Sequence, residues 1–140
     1  GYKTKLDTNG LRPDVLEKIL TGGLVDYIAM DVKNSPAKYP LTVGLDKVDV
    51  NKILESINML NESGVDHEFR TTLIKEFHTD EDMLEIAKMV KNAPRYFMQK
   101  YKDIDGCISH GYTPVDKADV LRFKTYFENS VRTVGLRGYN

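Results

Sequence analysis

The stretch Tyr27-Ile28-Ala29-Met30-Asp31-Val32-Lys33 decides the fold. It closes an apolar run from Leu24 to Met30, broken only by Asp26, and then meets an acid at Asp31 and a base at Lys33. Gly22-Gly23 precede it and Pro36 follows. An apolar run this short, bounded by glycine and proline, predicts a buried strand rather than a helix. In parallel α/β sheets and barrels, ligands bind at the carboxyl ends of strands. Charged groups placed where such a strand runs out are therefore candidates for a site. Asp31 and Lys33 are two apart, so they share a face if the strand continues.

Working outward, strand and helix patterns alternate. Tyr2 to Asp7 has a period of two and ends in the turn formers Asp7-Thr8-Asn9-Gly10. Pro13 opens a helix with Val15, Leu16, Ile19 and Leu20 on one face. Asn34 to Asp46 reads as a polar loop, and Asp49 to Ser63 as a second helix closed by Gly64. His67 to Ile74 is rich in β-formers, and Thr79 caps a third helix whose first turn carries Asp80, Glu81 and Asp82. Arg95 to Gln99 predicts a fourth strand and Lys100 to Tyr112 a loop. Thr113-Pro114 begins a fourth helix reaching Ser130, and Val131 to Leu136 is a last short strand. Tyr96, Phe97, Phe123, Tyr126 and Phe127 read as core.

Alternation of this kind implies parallel pairing with right-handed crossovers. It fits an open doubly wound sheet or part of a (βα) barrel. A complete eight-unit barrel takes about 250 residues, so these 140 residues would supply only a piece.

Composition narrows the function. The chain is 41% hydrophobic and 29% charged, as expected of one globular α/β domain over residues 1–140. With 20 basic and 21 acidic side chains, it offers no general electrostatic attraction to nucleic acid or an anionic membrane. No apolar run approaches the ~20 residues of a membrane span. The one cysteine, Cys107, excludes an internal disulfide and fits a reducing, cytoplasmic compartment. His67, His78 and His110 lack metal-ligand spacing and read as structural or exposed.

The strand ends carry the chemistry. Asp7, Thr8 and Asn9 follow the first strand, and Asp31 and Lys33 the second. Arg70 sits within the third, and Gln99 ends the fourth. Converging on one rim, they would suit a zwitterionic, hydroxyl-bearing ligand better than a simple phosphate. Turn formation explains Asp7 and Asn9 equally well, and Arg70 could simply pair with Glu68 or a neighbouring acid at the sheet edge. A strand-end lysine also suggests a Schiff-base enzyme. The Tyr27 to Pro36 stretch resembles the phosphoacceptor strand of a receiver domain. That fold, however, needs an acidic pair after the first strand and a late Lys-Pro, and neither is present.

Taken in order, Asp7-Thr8-Asn9-Gly10, Asp26 to Lys33, Phe69-Arg70-Thr71-Thr72 and Gln99-Lys100-Tyr101 resemble the later motifs of the glycyl-radical-enzyme activating proteins, a radical S-adenosylmethionine (SAM) family. The activators of anaerobic ribonucleoside-triphosphate reductase look nearest, with those of pyruvate formate-lyase close by. The resemblance implies the C-terminal half of a partial (βα)6 barrel, with parallel strands and helices on the outer face. It implies an oxidoreductase whose [4Fe-4S] cluster cleaves SAM reductively to place a glycyl radical on a partner enzyme. It also implies that Asp31, Lys33, Arg70, Asn9 and Gln99 border SAM, Gln99 standing where the lyase activators have a histidine. Asp7, Thr8 and Met30 would hold a monovalent cation. The family's Cys-x3-Cys-x2-Cys loop and glycine-rich SAM motif are missing, so no cluster is expected on this chain. It is expected to be an inactive portion of a longer enzyme, or else a non-catalytic binding fragment, that dimerises through an exposed barrel edge.

Overall fold

A computed structural model of the chain describes residues 3–102 and 111–139. Tyr2, Cys107 and His110, each named above, lie outside the described residues. Five strands form one sheet in the order β1-β2-β3-β4-β5: Lys5–Thr8, Tyr27–Asp31, Asp66–Leu73, Arg95–Lys100 and Thr133–Arg137. Every neighbouring pair is parallel. Between them run α1 (Pro13–Thr21), α2 (Tyr39–Val43), α3 (Val50–Ser63), α4 (Asp80–Met89) and α5 (Lys117–Phe127). A doubly wound sheet reverses its strand order partway. Here sequence order and spatial order coincide, so right-handed crossovers keep every helix on one side. This is the connectivity of a stretch of (βα) barrel.

The side chains divide accordingly. Ile28, Met30, Val32, Phe69, Leu73, Tyr96 and Met98 join Ile53, Ile57, Leu60, Met83, Ile86, Val120, Phe123 and Phe127 in the buried core. Tyr96 stacks on Phe127 with ring centroids 4.1 Å apart. The alternate residues of the same strands face away from the helices: Asp7, Ala29, Asp31, Glu68, Arg70, Phe97, Gln99 and Arg137.

Local chemistry sets the element ends. Pro13 occupies the first turn of α1, and Gly64 closes α3 in the left-handed region. Thr79 caps α4 in a capping box with Asp82. Three expectations need correction. The segment from Asn34 to Asp46 is not simply loop; it holds a 3-10 turn at Pro36–Lys38 and the short α2. Both prolines there occupy first-turn positions, which tolerate a missing N–H. The fourth helix starts at Lys117, not at Thr113-Pro114, because Asp116 accepts from Asp119 N at 2.9 Å and fixes the cap. Thr113 is instead tied to Glu76 by two 2.8 Å bonds. Finally, Phe97 and Tyr126 are half-buried rather than core.

Asp82 links α4 to the segment after β2. Its carboxylate accepts from Ser35 Oγ at 2.8 Å, Lys38 Nζ at 2.7 Å and Thr79 N at 2.9 Å. Burial pushes this acid up, but the Lys38, Thr79 and Ser35 bonds outweigh it and hold the carboxyl at about 2. A folded-state value below the unfolded one stabilises the protein above the unfolded pKa, and that contribution is lost as pH falls. Acid titration of stability by circular dichroism should therefore show a loss of roughly 2 kcal/mol between about pH 4 and pH 2. Asp82→Asn should flatten that limb, and an unchanged limb would contradict the assignment.

Candidate functional site

The second strand ends at Asp31, and the third passes beside it with Arg70 as its register partner. Arg70 Nε donates to Asp31 Oδ1 at 2.6 Å, and Arg70 Nη2 lies 3.5 Å from Asp7 Oδ2 on the first strand. Lys33 Nζ reaches the other oxygen of Asp31 at 3.3 Å. Asp7, Arg70, Asp31 and Lys33 thus form one run of alternating charge across three strands, at the carboxyl end of the helix-free face. Arg70 is its most buried member, with side chains 16% exposed at Arg70, 32% at Asp31, 44% at Lys33 and 62% at Asp7. Burial pulls the Arg70 guanidinium down, but its bond to Asp31 and the charges of Asp31, Asp7 and Glu68 raise it overall, so it stays cationic. Arg70 thus pairs with a neighbouring acid on the sheet, Asp31, rather than with Glu68.

Glu68 belongs to a second cluster, which sequence reading missed. Its carboxylate is 3% exposed and takes both guanidinium nitrogens of Arg137, at 2.7 and 3.0 Å, as well as the Tyr27 hydroxyl at 2.9 Å. Arg137 also lies over the Phe97 ring, 3.9 Å from its centroid. Gly135 makes room for that ring, since a Cβ there would stand 2.7 Å from Phe97 Cε1. Burial pushes Glu68 up, while Arg137 and Tyr27 bring it below the ordinary carboxylate range. The available signal was alternation: Glu68, Arg70 and Thr72 are polar at every second position of β3, as on a face that no helix covers.

The remaining candidates divide between the charged run and the turn after β1. Asn9 Oδ1 accepts from Leu11 N at 3.0 Å, and Thr8 Oγ1 from Gly10 N at 3.2 Å. Gly10 is left-handed and packs against Met30, whose side chain is fully buried on the helix side. The structure therefore brings Asp7 to Arg70 but engages the Thr8 and Asn9 side chains in the turn. Gln99 is half-buried and accepts from Thr72 at 3.4 Å, away from the charged run. His67 and His78 are buried and hydrogen-bonded, as a structural reading requires. Among the described residues, no group of three or more His, Cys, Asp or Glu could hold a metal ion.

Stability separates structural from available charge. Asp31→Ala leaves the half-buried Arg70 without its main partner and should cost about 1–3 kcal/mol in urea denaturation. Lys33→Ala removes a more exposed cation and should cost less than about 1 kcal/mol. Equal losses would mean that Lys33 is a structural group.

Comparison with known proteins agrees with this architecture. No protein-family model matches the chain. The "Putative glycyl-radical enzyme activating enzyme" of Methanocaldococcus jannaschii is 35% identical over 144 residues, a match covering 96% of this chain. The chain spans 60% of that protein's length. A solved domain of pyruvate-formate lyase-activating enzyme from Bacteroides vulgatus superposes with a TM-score of 0.70 at 12% identity, covering 94% of this chain and 81% of that domain. At that identity the likeness establishes the fold. The chain is thus similar in sequence to a glycyl-radical enzyme activating enzyme and in fold to a domain of a pyruvate-formate lyase-activating enzyme.

Proposed function

We propose that the chain forms the SAM-facing part of an enzyme that generates a glycyl radical on a partner protein. The observation that carries this reading is the Asp7–Arg70–Asp31–Lys33 run at the strand ends of the helix-free face. SAM presents an ammonium, a carboxylate and ribose hydroxyls, and it needs both charge signs and acceptors within one site. Lys33 Nζ spends one donor on Asp31 and has others for the methionyl carboxylate. Arg70 fixes Asp31, leaving that acid able to accept from a ribose hydroxyl through its remaining lone pairs. Asn9 and Gln99 would border the ligand, Gln99 through its amide.

A monovalent cation near Asp7, Thr8 and Met30 fits only in part. Met30 sulfur lies in the core, so carboxylate and main-chain oxygens would have to hold the ion. The [4Fe-4S] cluster does not fit the residues of this chain, since clusters are held by several thiolates and the sequence has one cysteine. Bound within the whole enzyme, and given one electron from a reductant such as the cluster, SAM would supply the hydrogen-abstracting chemistry directed at the partner's glycine. The residues here contribute binding and orientation, which is the protein's share in cofactor chemistry. The partner we favour is an anaerobic ribonucleoside-triphosphate reductase, on the motif likeness described above, with pyruvate formate-lyase as the other choice.

Lys33→Ala and Lys33→Met should each weaken SAM binding to the reconstituted full-length protein by about one to two decades, the value of a charge-assisted hydrogen bond of roughly 1.5–3 kcal/mol. Iron content should not change. Calorimetric titration checks this, and a change of about twofold or less for both variants would remove Lys33 from the site.

A further inference from the structure

We infer that His78 is a positioning residue for Lys33, holding its main chain so that the ammonium meets the ligand; this rests on the SAM reading above. Lys33 lies beyond the last residue of β2, and the last ladder bond, from Val32 N to Arg70 O at 2.8 Å, falls one residue short of it, so such bonds no longer fix its backbone. Buried side chains replace them. Thr71 Oγ1 donates to Val32 O at 2.7 Å, and Tyr96 OH donates to Thr71 Oγ1 at 2.6 Å from behind. The Tyr39 hydroxyl accepts from Lys33 N at 3.0 Å. His78 Nε2 stands 2.8 Å from Lys33 O.

The geometry fixes the imidazole tautomer. Lys33 O can only accept, which puts the proton of a neutral ring on Nε2; Nδ1, 3.2 Å from Ile74 O, then accepts from Ile74 N at 3.0 Å. Ile74 O already receives the backbone N–H groups of Phe77 and His78, both at 3.0 Å. Nε2 therefore carries the proton and donates to Lys33 O. The ring is only 4% exposed, and burial lowers its tendency to protonate, which preserves this neutral form. Asn34 reinforces the same segment, its Nδ2 donating to Phe77 O and to Thr42 Oγ1, both at 2.9 Å. Both polar groups of the Lys33 main chain are thus held from the helix side, while its side chain lies with Asp31 on the open side.

The two ring nitrogens can be tested apart. Glutamine places its amide N–H near the position of Nε2 and loses the Nδ1 acceptor; asparagine does the reverse. Each variant forfeits one ring hydrogen bond, so both should be destabilised. In the reconstituted full-length protein, His78→Asn should weaken SAM binding roughly three- to tenfold, and His78→Gln by about twofold or less. In a Lys33→Ala background, His78→Asn should add no further loss. Hydrogen exchange at the Lys33 and Ser35 amides should quicken in His78→Asn and not in His78→Gln. Equal weakening by Asn and Gln, or none by Asn while Lys33→Ala weakens binding, would overturn the positioning role and leave the site reading intact. If Lys33→Ala itself leaves SAM affinity unchanged, the site reading fails and this inference falls with it, even if the exchange pattern is as expected.

Discussion

The 2.6 Å contact between Arg70 and Asp31 is possible only because β2 and β3 pair in one register. A slip of one residue would turn every side chain of a strand to the opposite face. Arg70 would then point into the helix-side core, where a charge has no partner. The register is held from that other face, by Met30, Val32, Phe69 and Leu73, all fully buried. The charged run on the open side therefore depends on apolar packing that it never touches. Arg70 in turn orients Asp31, and Asp31 holds the ammonium of Lys33.

The open face is graded rather than uniform. On one part of it, Glu68, Arg137, Tyr27 and Phe97 satisfy one another and leave little charge for a ligand. At its rim, Lys33 keeps donors to spare. A sheet face meant for bulk water would not bury a glutamate to 3% exposure beneath an arginine stacked on an aromatic ring. Such a cluster suits an enclosed barrel interior. Behind that rim, Tyr39, Thr71 and His78 give the end of β2 a fixed backbone where the sheet itself no longer does so.

Much of this was legible in the residues. The apolar run to Met30, the Thr79 cap and the Gly64 stop each act locally, and each stands where its chemistry predicted. Asp31 and Lys33 share a face because their spacing is two. The errors have a common cause. The start of α5 is set by the Asp116 cap, while Thr113 is bonded to Glu76, distant in sequence. Glu68 takes Arg137, 69 residues further along, while Arg70 pairs with Asp31. Phe97 read as core because an aromatic residue in a strand does not reveal that its cover is a guanidinium. Pairings that cross the sheet are invisible to local pattern.

The account's central claim is that Lys33 faces bound SAM at the rim of the helix-free sheet. Lysine acylation footprinting of the reconstituted full-length protein measures this directly, with Lys88 on the exposed surface of α4 as the internal reference. Saturating SAM should slow modification of Lys33 at least several-fold and leave Lys88 unchanged. Equal rates at Lys33 with and without SAM would contradict the claim.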